Sequence, residues 1–365
     1  MEFGLFTFAE LSADPLTGIT TSAGVRLQEL LEQVRLADEV GLDVFGIGEH
    51  HRSDFAISSP AVVLAAAAAL TKRIKLTSAA TVLGSDDPVR VYEQFALLDL
   101  VSKGRAEIMV GRGTFIESFR LFGPDLINYE GSFSEKLDLL LQIRAKKQVS
   151  WSGRHRHDIN DLGVYPRSEK PIPVWLAAGG CPQSAFRAGS LGLPLALAVF
   201  NGRSSDYTYF VERYKDAGSS FGFESARLAV SVNSHGFIGD SESTATEAFF
   251  PYYAQWMNRD RRHRGLDEFT LGEFDRLAEL KNPLVFGTPE QVVDKILYQH
   301  DLFGHKRFLM QMSLGAIPHR AVMRSIELLG TRVAPSVRKA LRQTTAVSML
   351  GNVLVDEEEI LVSAA

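Results

Sequence analysis

The chain has 365 residues, 45% hydrophobic and 23% charged, with 39 Lys and Arg against 44 Asp and Glu for a net charge of -5. That balance, with no concentrated basic stripe, speaks against a nucleic-acid partner, and the length fits two ordinary domains or one large α/β barrel of roughly 250 residues with insertions. Cys181 is the only cysteine, which excludes an internal disulfide or a thiolate metal cluster and suits a reducing compartment.

The start, "MEFGLFTF", runs directly into a strand-like segment at Phe3–Phe8 with none of the marks of a signal peptide, so a cytoplasmic protein is expected. In "VRLQELLEQVRLADEVG", Leu27, Leu30, Leu31, Val34 and Ala37 recur at helical spacing, and Gly41 can end the helix. Asp43–Gly48 reads as the second strand. The longest apolar run, Ala61–Leu70, is far too short to span a membrane. A third strand is predicted over Ile74–Leu83. Asp87 and Pro88 then open a helix whose inner face is Val91, Phe95 and Leu98.

The fourth strand is predicted at Ala106–Val110, and Ser132 with Glu135 fits a capping box ahead of "KLDLLLQIR". An insertion at Trp151–Ser168 has the look of a hairpin or long loop. Further strands follow at Pro173–Ala178, Pro194–Phe200 and Arg227–Val232, then a second insertion, Asn258–Asn282, long enough for a lid. Thr288, Pro289 and Gln291 fit another capping box, and Arg307–Met312 is the eighth strand. Continuous apolar runs suit parallel strands covered on both faces. The pattern is therefore a (β/α)8 TIM barrel with insertions after strands 4 and 7, over residues 1–340. A doubly wound open sheet is the alternative, but its glycine-rich fingerprint after the first strand is missing. Residues 341–365 are expected to be a disordered tail or an arm packing on a partner.

In a barrel of this kind the C-terminal strand ends build the site. Glu49, His50 and His51 stand past the second strand, "GRGTFIES" past the fourth, "AAGGCPQS" past the fifth, "SVNSHG" at the end of the seventh and "QMSLG" at the eighth. Arg112 between two glycines can offer a charged fork beside open backbone N–H groups. "GGCPQS" sets two glycines before a helix start, an anion-binding arrangement. Adjacent histidines cannot easily share one ion and no carboxylate cluster completes a ligand set, so no metal site is expected. His155 and His157 read as loop residues. His235 is a candidate for the pocket or a hydrogen-bonded structural histidine. The small residues Ser78–Thr81 allow either close packing or a flat ring lying against the backbone.

Together these stretches resemble the bacterial luciferase-like family of flavin-dependent monooxygenases. The resemblance runs from "EFGLFTF" through "GLDVFGIGEHH", "DPVR", "LDLVSKGRAEIMVGRG" and "VWLAAGGCPQS" to "FGTPEQVVDKIL" and "LMQMSLG", most of Met1–Arg338. It implies a dimerising barrel that binds reduced FMN at its C-terminal rim. There the reduced flavin meets O2, gives a 4a-hydroperoxyflavin and oxygenates a small organic substrate, and a separate flavin reductase supplies the reduced cofactor.

By position, His50 matches the family's catalytic histidine, which Glu49 could orient, and His51 faces either the loop or the flavin. Ala79 and Ala80 match the pair with a cis peptide beneath the ring. Arg112, followed by Gly113, matches the phosphate-binding arginine, and Gly179, Gly180, Gln183 and Ser184 fall on the second phosphate loop. Gly111 replaces a luciferase cysteine. Gly179 and Gly180 replace a glutamate and a serine, so backbone N–H groups would take over that contact and light emission is not implied. Some relatives use a deazaflavin coenzyme for hydride transfer, which leaves that chemistry and non-catalytic flavin binding as alternatives. "FIESFRLFG" and the loops near Trp151 and Trp256 suggest an aromatic pocket wall and an apolar substrate.

Overall fold

The computed structural model describes residues 1–113, 115–123 and 128–343. Eight parallel strands close on themselves: β1 (Glu2–Thr7), β2 (Val44–Ile47), β3 (Lys75–Ser78), β4 (Ala106–Gly111), β5 (Val174–Ala178), β6 (Leu195–Ala198), β7 (Val230–Ile238) and β8 (Arg307–Gln311). Each pairs with the next, and β8 returns to β1 with Glu2 opposite Arg307. Helices cover the outside, and the expected barrel is the observed one.

Local chemistry explains the helix starts. In α1 (Ala23–Glu39), Ser22 Oγ accepts the Val25 N–H, and Leu30, Val34 and Ala37 are buried; Leu27 and Leu31 are only half-buried. Asp87 accepts the N–H groups of Val89 and Arg90 at the head of α3 (Pro88–Ser102), while Val91, Phe95 and Leu98 face inward. The box at Thr288 and Gln291 forms and opens the helix Pro289–Phe303, which Gly304 ends.

The structure differs from the expected boundaries in three places. The third strand stops at Ser78, because the Ala79–Ala80 peptide is cis; pairing with β4 resumes at Thr81–Val82. β7 runs on past Val232 to Ile238, since β8 pairs with it as far as His235 and a short strand, Val285–Gly287, pairs with the rest. Ser132 and Glu135 form no cap: α5 (Tyr129–Ala145) starts upstream, and the Glu135 carboxylate instead takes the N–H groups of Arg154 and His155. Those residues belong to the first insertion, an antiparallel hairpin of Gln148–Trp151 with Ile159–Gly163.

The second insertion is mostly helix. α8 (Glu242–His263) and α9 (Leu271–Ala278) flank a turn, fastened where the Phe269 N–H donates to Asn258 Oδ1. The chain stays helical through residues 334–343; the rest of the expected tail, from residue 344, lies outside the described residues. No helix among the described residues is long and apolar enough to cross a membrane.

The barrel is filled in layers. At its N-terminal end Arg307, 1% exposed, makes a two-pronged pair with Glu107 at 2.6 and 3.0 Å, bonds Glu2 at 2.7 Å and lies 4.1 Å over the Trp175 ring. Lys75 bonds Glu2 at 2.6 Å and comes within 3.4 Å of Glu107. Above this plug sit Phe6, Val44, Met109, Ala196 and Leu309. Removing one partner of a buried ion pair strands the other, at about 3–5 kcal/mol. Glu107→Ala should therefore lower the free energy of urea unfolding by about 3 kcal/mol. A loss below about 1 kcal/mol would mean that water or Glu2 compensates Arg307.

Candidate functional site

Small residues line one side of the open rim. A Cβ on Gly48 would come within 2.2 Å of the Phe8 ring and 2.9 Å of the Ala79 carbonyl, so β2 can approach the cis segment only as glycine. Ser78 Oγ donates to the Met109 carbonyl at 2.9 Å and accepts the Met109 N–H at 3.0 Å, bridging the gap in the β3–β4 ladder. Ala80 and Ala177 stay partly exposed on the inner surface. Close packing of the strands at "SAATV" makes a floor with almost no side chain.

Glu49 does not orient His50. Its Oε1 pairs with His51 Nε2 at 2.8 Å and its Oε2 accepts the Val82 N–H at 3.1 Å, bracing the strand just beyond Ala80. Burial raises the Glu49 pKa against those bonds. His51 turns its ring edge toward Phe122, 4.8 Å away.

His50 sits among aromatics. It stacks on Phe55 at 4.1 Å, with Phe8 at 4.6 Å and Phe115 at 5.0 Å, and its Nδ1 is buried without a hydrogen-bond partner. Burial pushes its pKa down to about 4, so the ring is neutral at neutral pH. The loop carrying it is tied to α8: Asp54 bonds both Arg52 and Arg259, and Arg259 lies over the Phe55 ring. The presumed lid segment is in this respect a clasp.

Across the rim His235 lies inside β7, stacked on Phe200 at 4.3 Å with the Trp256 edge at 4.9 Å. Its Nδ1 also lacks a partner, and burial lowers its pKa to about 3. Trp256 therefore reaches the site, whereas Trp151 ends the hairpin strand Gln148–Trp151. His157 is exposed and His155 half-buried, both in the hairpin loop.

Sequence reasoning missed Glu10, just past β1. It is buried; Oε1 accepts from Gln311 Nε2 at 3.2 Å and Oε2 has no partner. Burial raises its pKa to about 7 despite nearby Arg26 and Arg259. The only hint was an acid at a strand end.

Arg112 and the fifth-strand loop come together on another side. Gly113 has φ +81°, and a Cβ there would strike Val82 at 2.6 Å. Arg112 donates to Glu130 at 2.8 Å and lies 5.6 Å over Tyr129. Past Gly179 and Gly180, Cys181 caps α6 (Pro182–Ser190) and donates to Gln183 Oε1 at 3.0 Å. Burial opposes ionisation of that thiol, but the Gln183 N–H and Arg112 outweigh it and lower its pKa. Ser184 is buried, its N–H spent on the Cys181 carbonyl. Thr114 lies outside the described residues. Among the described residues no three His, Cys, Asp or Glu side chains are grouped to hold a metal ion.

A family model described as luciferase-like monooxygenase matches residues 1–306. The oxygenase component of the flavin-dependent trigonelline monooxygenase of Acinetobacter baylyi is 23% identical over 337 residues, 86% of this chain and 90% of that protein. The F420-dependent glucose-6-phosphate dehydrogenase of Amycolatopsis mediterranei is 30% identical over 174 residues, 45% of this chain and 51% of that protein. Among solved structures, monooxygenase RslO1 of Streptomyces bottropensis superposes with a TM-score of 0.79 at 25% identity, over 92% of this chain and 99% of that one.

The buried imidazole yields a pH prediction. Between its folded pKa of about 4 and its ordinary 6.5, the unfolded chain holds the His50 proton and the folded one does not, so this residue costs stability as pH falls through that window. Side-chain NMR, with His50→Gln for assignment, should show His50 titrating near 4 in the ligand-free protein. Titration near 6.5 would place the ring in water.

Proposed function

This chain belongs to the luciferase-like monooxygenase family, and on that premise we propose that it is a flavin-dependent monooxygenase using reduced FMN and O2 on a small organic substrate. One observation carries the reading. A floor almost free of side chains at Ala79–Ala80 and an arginine-bearing anion cradle share the rim with a neutral, aromatic-packed His50. The first suits a flat ring, the second a phosphate, and the third a reacting group that must be kept from water.

When bound, the reduced flavin supplies the two electrons that let one oxygen atom of O2 enter the substrate while the other leaves as water; a flavin reductase renews it. The protein's share is position and protons. Ala79 and Ala80 would support the ring. Arg112 and Gly113, with Gly179, Gly180 and Gln183, would hold the phosphate; Ser184, buried, shapes that loop. A neutral His50 offers a donor nitrogen and an acceptor nitrogen, so it can hold a proton beside the ring or take one from the substrate. Phe8, Phe55, Phe115 and Phe200 support an apolar or aromatic substrate. The single cysteine supports a cytoplasmic setting.

The F420-dependent relative favours a second reading, hydride transfer with a deazaflavin and no oxygen. Passive flavin storage would have no use for His50. Incorporation of isotopically labelled O2 into a product, with reduced FMN supplied, separates these: label in the product is expected, whereas anaerobic turnover with reduced deazaflavin would overturn the proposal.

A homodimer is part of the proposal. The outer faces of α2 (Pro60–Leu70) and α3 expose Val62, Leu97, Leu100 and Val101 beside small alanines, an apolar surface without a charged residue on the α2 side. Leu97→Asp should convert dimers to monomers in sedimentation; dimers that persist would put the interface elsewhere.

Phosphate contacts by a charged donor contribute about 1.5–3 kcal/mol. Arg112→Ala should therefore raise the Kd for FMN by an order of magnitude or more, with the fold intact. His50→Ala should leave that Kd nearly unchanged and slow product formation. The reverse pattern would exchange the two assignments.

A further inference from the structure

Arg187 has no part in the reading above, yet it meets Arg112 at one carboxylate. Glu130 Oε2 accepts from Arg112 Nη1 at 2.8 Å, and Glu130 Oε1 accepts from Arg187 Nη2. The guanidiniums arrive from different elements, one from the loop after β4 and the other from α6. Each rests on a ring of α5: Arg112 on Tyr129 at 5.6 Å, Arg187 on Phe133 at 5.5 Å. Both are about a fifth exposed and Glu130 about half, so the junction is open to a solute. Beside it the backbone is bare: a Cβ on Gly180 would meet nothing within 4 Å.

The two guanidiniums share one half-exposed carboxylate, with Asp138 near Arg187 and the Cys181 thiol near Arg112. A phosphate, with more negative charge and three oxygens, matches the pair better than a carboxylate does. We propose that Arg112 and Arg187 form a two-armed clamp for the cofactor phosphate, and that Glu130 is its internal occupant, a carboxylate the phosphate must displace. This rests on the reading that the rim takes a phosphorylated flavin. The consequence is a phosphate site weakened on purpose. Such a site suits a cofactor that arrives reduced and leaves oxidised in each cycle, because binding too tight to reverse would trap it.

The alternative role for Glu130 is a bracket that holds the arginines ready, and it predicts the opposite sign. The test is equilibrium titration of wild type, Glu130→Gln and Arg187→Ala with FMN, with riboflavin, and with inorganic phosphate followed by thermal shift. Glu130→Gln keeps the shape and removes the charge. It should tighten FMN and phosphate about five- to tenfold while leaving riboflavin within about twofold. Arg187→Ala should weaken FMN about tenfold and spare riboflavin, and Arg187→Lys should recover part of the loss. Unchanged or weakened FMN and phosphate binding in Glu130→Gln, or unaltered FMN binding in Arg187→Ala, would overturn the clamp. If wild type bound neither FMN nor riboflavin, the flavin reading would fall, and the phosphate response of Glu130→Gln would still decide the clamp.

Discussion

Arg307 is buried at the closed end of the barrel, and its charge must be met there or the barrel cannot form around it. Glu107 meets it with two bonds, Glu2 with a third, and the Trp175 ring covers its face. These residues sit on β8, β4, β1 and β5, so one cluster fixes the relative placement of strands that are far apart in sequence. Such clusters are a poor source of net stability compared with apolar packing. What this one supplies is closure at the N-terminal end, opposite the open rim that carries Gly48, Ala80 and His50.

That opening is built by subtraction on one side and by apolar bulk on the other. At Gly48, Ala79 and Ala80 the strands give up side chains and the backbone itself becomes surface. Opposite, Phe8, Phe55 and Phe115 surround His50, and Phe200 and Trp256 surround His235, which removes water and holds both imidazoles neutral. Glu10 is the exception, a buried acid whose proton is balanced near neutrality. Its charge state and that of His50 pull stability in opposite directions with pH. Glu10 holds its proton in the fold between its ordinary 4.5 and about 7, so it costs stability as pH rises.

Much of this was legible in the sequence. The eight strands declare themselves as apolar runs, and Asp87–Pro88 and Thr288–Gln291 carry their own caps. The end of β7 did not, because Asn233, Ser234 and His235 are polar residues buried in a barrel interior, where polarity reads as loop. Ser132 and Glu135 had the spacing of a cap, but a hairpin distant in sequence claimed the carboxylate. Glu49 lies next to His50 and bonds His51 and Val82 instead. Arg187 and Glu130 pair across 57 residues, with no local pattern to announce them. Tertiary geometry, rather than residue type, decided each of these.

The most direct measurement is a crystal structure of the protein with FMN bound. If the rim works as described, the isoalloxazine ring lies on Ala79–Ala80 with His50 at its edge, and the phosphate sits between Arg112 and the start of α6. A ring outside the barrel mouth, or a phosphate held away from Arg112, would contradict the assignment of this rim as the flavin site.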